Sequence, residues 1–262
     1  MLAQLVRAGR PGRPGLRFES ARTYHSSGSA QLLLPTADLH FKRMAIISID
    51  AELRGKCPRV ALACVTADVN MRATPEALER ALRACEENLL KLPEPKAVLE
   101  SPAILATRAG YKALGKDPAR YRGSAEALIR RVIAGKGLPR INNVVDVINV
   151  VSVECRLPIG LYDLAHVRGG IVFRAGRAGE TYKGIGKYDL NLEGLPVFCD
   201  ELGPHGSPTS DSERTMVTNA TKKVLGIIIS FSGAEGLSTW GERTATLLRE
   251  HAFAAGVTIQ VW

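Results

Sequence analysis

The chain has little to offer a metal ion or a lipid bilayer. Its five cysteines (Cys57, Cys64, Cys85, Cys155 and Cys199) are scattered, none forms a Cys-x-x-Cys pair, and no His-x-x-x-His accompanies them. A zinc site or a disulfide framework is therefore not expected. Small core thiols in a reducing compartment are. No metal and no other cofactor is called for. No apolar run approaches the roughly 20 residues that a membrane helix needs, so no membrane partner is expected. The five histidines (His25, His40, His166, His205 and His251) are not grouped, and His205 alone lies in a loop of interest. Gly184-Ile185-Gly186 lacks the third glycine and the strand-to-helix setting of a dinucleotide site. There is no Walker sequence, no Gly-x-Ser-x-Gly elbow and nothing that points to a Ser-His-Asp triad.

What the chain does have is length, positive charge and one unusual apolar stretch. Its 262 residues are 45% hydrophobic and 23% charged, as in globular proteins, and its net charge is +9. That surplus suits a polyanionic partner. Residues 1–43 differ from the rest. Arg7, Arg10, Arg13, Arg17 and Arg22 meet few acids, as in a transit peptide, yet Pro11, Pro14 and nearby glycines spoil an amphipathic helix. Met44 is an alternative start. Residues 1–43 are expected to be a disordered or targeting-like extension and residues 44–262 a single domain, with no internal repeat or low-complexity linker. The expected location is cytoplasmic, or mitochondrial if the extension is a genuine transit peptide.

The most apolar run is Ile141 to Glu154. Its Val and Ile content favours a strand. Asp146, Asn149 and Ser152, however, recur every three residues, which puts all three on one side of a helix. The spacing predicts a buried helix with one polar seam, and a buried carboxylate there needs partners. The seam is either satisfied by a neighbouring loop or faces a substrate.

Elsewhere the pattern predicts strands over Met44–Ile49 and Val60–Val69, joined around Gly55–Pro58. A helix is capped by Thr74 with Pro75 at its first position. A second runs from Ser101-Pro102 to Gly115, with Ile104, Leu105 and Ala109 inward, and a third starts at Ser124. After Leu157 come short strands and turns, a buried strand over Leu225–Phe231, a last helix from Ser238 closed by Gly256, and an alternating strand over Val257–Val261. This is a helical cluster followed by a meandering sheet, a mixed α and β domain.

Two loops carry candidate chemistry. In the first, Lys116, Arg120 and Arg122 around Tyr121 can meet phosphates while the ring stacks on a base. Alternatively, Asp117 pairs locally with one of the arginines on a solvated surface. In the second, Gly203 to Thr215, Arg214 can fork onto a carboxylate or phosphate, Asp211 or Glu213 can hold an ammonium group, and Ser210, Ser212 or Thr215 can position water. The competing reading is a chain of Asx and hydroxyl turns.

Several segments, in order, resemble a known family. Ile141-Asn142-Asn143-Val144-Val145-Asp146-Val147-Ile148-Asn149, Leu157-Pro158-Ile159-Gly160-Leu161-Tyr162-Asp163 and Gly169-Gly170-Ile171-Val172-Phe173-Arg174 resemble the B3/B4 domain of the phenylalanyl-tRNA synthetase β subunit. Tyr111 to Arg131 and Ser207 to Thr215 extend the resemblance to free-standing proteins built from that domain. The resemblance implies an α+β fold with a mixed, largely antiparallel, partly closed sheet and flanking helices. It also implies a site that hydrolyses mischarged aminoacyl-tRNA. Such chemistry needs a pocket, a positioned water and oxyanion donors. One departure matters: the synthetases' Pro-x-His-x-Phe-Asp segment has Gly160 at its His position here.

The resulting expectation is a stand-alone tRNA-editing-type domain that hydrolyses mischarged aminoacyl-tRNA or a related aminoacyl ester in trans. The alternative is a non-catalytic module that binds tRNA or an amino acid. Ser210, Asp211, Ser212 and Thr215 are the catalytic candidates. Asp146, Asn149, Gly160 and Arg214 are the substrate-binding candidates, and Lys116, Arg120 and Arg122 the tRNA-binding ones. The expected partner is tRNA or aminoacyl-tRNA, not DNA, and the chain has no room for a synthetase's aminoacylation domain.

Overall fold

The structure, a computed structural model, describes residues 47–186 and 188–262. Residues 1–43 and the first three positions of the expected opening strand lie outside the described residues. The order is β1 (Ile47–Ile49), α1 (Ala51–Lys56), β2 (Ala61–Asp68), α2 (Glu76–Leu90), a 3-10 turn (Pro95–Glu100), α3 (Pro102–Ala113), α4 (Ser124–Ile133) and α5 (Asn143–Cys155). Then follow β3 (Ile159–Asp163), β4 (Ile171–Ala175), β5 (Thr181–Lys183), β6 (Asp189–Asn191), β7 (Pro196–Asp200), β8 (Gly203–Gly206), β9 (Lys223–Ser230), α6 (Leu237–Ala252) and β10 (Ala255–Val261).

The strands form an antiparallel sheet of order β10-β2-β9-β3, a second sheet of order β1-β4-β7-β8 in which β1 and β4 run parallel, and a β5-β6 ribbon. This is the expected α+β architecture, largely antiparallel with flanking helices, and among the described residues no sheet closes into a barrel.

The alternation of β2 and β9 explains the layering. Ala61, Ala63, Val65 and Ala67, with Val224 and Ile228, pack against the helices. Leu62, Cys64, Leu225, Ile227 and Ile229 point the other way, toward Ile47, Ile171, Phe173 and Phe198 of the second sheet. A strand buried on both faces reads as a near-continuous apolar run, which is why Leu225–Phe231 stands out in the sequence.

The polar-seam helix forms as its spacing predicts. The Asn142 side chain accepts a hydrogen bond from the Val145 N–H at 2.9 Å, capping α5, and Arg156 ends it in a left-handed conformation with φ 62°. Every residue of α5 except Glu154 is buried. Packing against α2, α4 and α6 thus outweighs the strand preference of Val and Ile.

Several local expectations are corrected. A helix, α1, joins the first two strands, capped by the Asp50 side chain, which accepts from the Glu52 and Leu53 amides. Thr74 does not cap α2: Pro75 holds that position without a side-chain bond, and the Thr74 hydroxyl is turned to Asp146. In α3 the inward face is Ile104, Thr107, Gly110 and Tyr111, while Leu105 and Ala109 are exposed. Gly110 is there because Phe231 lies where its side chain would be. Gly123 precedes α4, and Ser124 is drawn inside, where its Oγ accepts the Ile159 N–H at 3.3 Å. The last helix ends at Phe253, itself left-handed, and Gly256 falls within β10.

Candidate functional site

The polar chemistry of the chain gathers where β3, β8 and the loop after β8 meet, between the two sheets. Its centre is the buried carboxylate of Asp211. Oδ1 accepts from the Tyr162 hydroxyl at 2.9 Å and Oδ2 from the Leu161 N–H at 3.3 Å. Burial pushes the Asp211 carboxyl above its usual range, against these donors. Burial and the neighbouring carboxylate push the Tyr162 phenol up as well.

Two glycines make room for that phenol. A β-carbon on Gly160 or on Gly206 would overlap the Tyr162 hydroxyl. Because side chains alternate along a strand, residues 160 and 162 share one face of β3. The ring stands edge-on to His205 with centroids 4.7 Å apart and edge-on to Phe198 at 6.0 Å. His205 is fully buried, and neither of its ring nitrogens has a partner among the described residues. Burial pushes its pKa down to about 4.

The loop from Ser207 to Thr215 spends most of its polar groups on itself. The Ser207 hydroxyl donates to the Ser210 carbonyl at 2.9 Å and accepts the Ser210 N–H at 3.1 Å. Tyr182 donates to the Ser207 hydroxyl at 3.1 Å, and the Tyr111 and Thr209 hydroxyls pair at 2.6 Å. Ser212 Oγ accepts the Arg214 N–H at 3.1 Å, and Thr215 donates to the His205 carbonyl at 3.3 Å. Ser210, Asp211, Ser212 and Thr215 are all buried, and of their side chains only the Ser210 hydroxyl lacks a partner among the described residues. Arg214 forks onto Asp200 at 2.8 and 2.9 Å and also donates to the Gly203 and His166 carbonyls. Burial alone would raise the Asp200 carboxyl, but the Arg214 fork and the Arg168 amide outweigh it and hold it below its usual range. Hydroxyl turns and local pairs thus surround one buried carboxylate.

Asp146 and Asn149 lie elsewhere. α5 covers the helical side of the β10-β2-β9-β3 sheet, whereas Tyr162 belongs to the cluster on its other side. Asp146 accepts from Thr74 and from the Ile141 N–H at 3.0 Å, so it ties two loops to the helix. Burial raises its pKa to about 6 despite those donors. Ser152 donates to the Leu157 carbonyl at 2.8 Å, and neither end of the Asn149 amide has a partner among the described residues. The seam is thus largely satisfied by neighbouring loops. Gly160 and Asp211 are brought together through Tyr162; Asp146 and Asn149 are not brought to them.

In the basic loop, Lys116 Nζ lies 5.1 Å from the centroid of the Tyr121 ring. Asp117 accepts the Ala119 N–H at 2.9 Å, closing a local turn rather than pairing with an arginine. Arg120 and Arg122 are exposed. Sequence reasoning missed the weight of Tyr162 and Gly206. The signal was the exchange of two positions together, Gly160 at the resembled family's His and Tyr162 at its Phe.

A family model described as the B3/4 domain matches residues 106–238, half of the chain. The chain belongs to the B3/4 domain family. The phenylalanine–tRNA ligase beta subunit of Rhodopirellula baltica is 32% identical over 139 residues, covering 50% of this chain and 19% of that protein. The beta subunit of Paramagnetospirillum magneticum is 31% identical over 105 residues, covering 39% and 13%. The chain therefore spans less than a fifth of these relatives. A crystal structure of an N-terminal fragment of the phenylalanyl-tRNA synthetase beta subunit from Pyrococcus horikoshii aligns with 16% identity and a TM-score of 0.42, over 82% of this chain and 50% of that one.

Proposed function

We propose that this chain is a tRNA-directed B3/4 domain that recognises aminoacyl-tRNA, or the aminoacyl ester it carries, without cleaving it through side chains of its own. The observation that carries the reading is the Tyr162–Asp211 pair. A hydrolytic site needs a cavity and uncommitted groups aimed at the scissile carbonyl. Here Gly160 supplies no side chain, the Tyr162 hydroxyl fills the space beside it, and Asp211 is bound to that hydroxyl. Similarity to the beta subunits supports tRNA as the class of partner.

The competing reading is hydrolysis in trans, with water as the nucleophile. The free hydroxyl of Ser210 and the unpartnered imidazole of His205 favour it. Equilibrium binding of charged tRNA, uncharged tRNA and an unrelated RNA of equal length separates the alternatives from a protein with no RNA role. Tighter binding of the tRNAs is expected, and equal affinity for the unrelated RNA would remove the proposal. Turnover of the charged tRNA that is lost in Ser210→Ala would favour hydrolysis.

A further inference from the structure

Away from the Tyr162–Asp211 centre, one face collects more arginine than its carboxylates can neutralise. Glu126 on α4 is almost wholly buried and sits among three guanidinium groups. Arg108 donates to it twice at 3.0 Å, Arg130 once at 2.7 Å, and Arg122 Nε lies 3.9 Å away. Burial would raise the Glu126 carboxyl, but these arginines hold it below its usual range. Arg108 also reaches Glu100 at 3.3 Å. Arg156 joins the group, since it and Glu126 line one small depression together with Thr107 and Pro158. Four arginines thus face Glu126 and Glu100, and Glu94, near Arg156, is the third carboxylate of this face.

Arg156 has two further properties. As the C-cap of α5 it holds a left-handed backbone, which turns the chain sharply at this point. It is exposed, and no ion pair or hydrogen bond holds its side chain among the described residues. It also lines a second, larger groove of about 340 Å³. Leu92, Pro93, Ala97 and Val98 give that groove its apolar wall, and Glu94 lies beside it.

We propose that this face binds a single-stranded RNA segment, with phosphates on Arg122, Arg156 and the outer edge of Arg130, and one unpaired base in the groove. This rests on the tRNA reading above and gives it a second surface, separate from Lys116 and Arg120. Guanidinium forks match phosphate oxygens, and the shallow apolar surface beside them can cover one face of a base. Glu94 can accept from an exocyclic amine of that base, whereas it would repel an acidic peptide.

The test uses the intact chain, a tRNA with its unpaired 3′ end, and the same tRNA with that end trimmed, titrated between 50 and 200 mM salt. Arg122→Glu/Arg156→Glu removes two phosphate contacts at exposed positions. The slope of log affinity against log salt should flatten by about 1.5, at roughly 0.7 to 0.9 per contact. Ala97→Ile fills the groove with an aliphatic side chain from an exposed position. It should weaken binding of the end-bearing tRNA, because the base loses its apolar contact, and leave the trimmed tRNA unaffected. If the wild type binds tRNA with a steep salt slope and both variants titrate like it, this surface is wrong and the tRNA reading survives. If the wild type shows no salt-dependent tRNA binding, both fall. If poly-glutamate competes as well as tRNA and trimming has no effect, the face is an acidic-peptide site and the proposal is overturned.

Discussion

The Tyr162 hydroxyl donates to the Asp211 carboxylate at 2.9 Å and occupies the space where a side chain on Gly160 would begin. The two residues come from β3 and from the loop after β8, 49 residues apart in sequence. Their bond closes the space between the two sheets.

Removing the hydroxyl tests that closure. Tyr162→Phe leaves Asp211 buried with one donor fewer, and an unsatisfied buried acceptor costs about 1–3 kcal/mol. Gly160→Ala should destabilise by a similar amount through overpacking, about 1–3 kcal/mol. Its penalty should be smaller, but not abolished, in the Tyr162→Phe background, where the nearest colliding atom is gone and the ring carbons remain. A double-mutant cycle by urea denaturation checks this.

Arg214 is expected to report on stability rather than on substrate affinity. Its fork meets an Asp200 side chain with no exposed surface. Breaking a buried pair from one side costs about 3–5 kcal/mol. Arg214→Ala should lower the thermal midpoint sharply, and Arg214→Lys should recover only part of it, since lysine cannot reproduce the fork.

His205 makes stability fall on the acid side. Its folded pKa of about 4 lies below the ordinary 6.5, so between these values the unfolded chain binds the proton and the native one does not. Its contribution is fully present above pH 6.5, declines as pH falls, and is lost by about pH 4. The loss amounts to about 3 kcal/mol at most. His205→Phe should remove that part of the pH dependence, as measured by urea denaturation at intervals from pH 8 to pH 4.

Asp146 acts with the opposite sign. Its folded pKa of about 6 lies above the ordinary 3.8, so its contribution is fully present below pH 3.8 and lost as pH rises through 6. Relative to wild type, Asp146→Asn should therefore gain stability from pH 4 to pH 8, by up to about 3 kcal/mol. A flat difference between the two proteins across that range would show that Asp146 is ionised in the fold throughout.

Much of the fold was legible because periodicity is a local signal. The three-residue spacing of Asp146, Asn149 and Ser152 identified α5 against its strand-like composition, and the apolar run of β9 announced a strand buried on both faces. What failed was whatever a distant partner decides. Thr74 has the residue type of a cap, but Asp146 recruits its hydroxyl. Leu105 is apolar yet exposed, while position 110 faces inward and is a glycine because Phe231 fills the space beside it. For the same reason the site was only half legible. Ser210, Asp211, Ser212 and Thr215 were picked out as a group, but that they pack inward, and that Tyr162 stands over Gly160, depends on how two sheets stack.

The most direct test of the central claim is the lifetime of the ester on charged tRNA held at saturating concentrations of this protein. Recognition without cleavage predicts a half-life equal to or longer than that of the free charged tRNA. A shortened half-life that persists in Tyr162→Phe and disappears in Ser210→Ala would contradict it and establish hydrolysis.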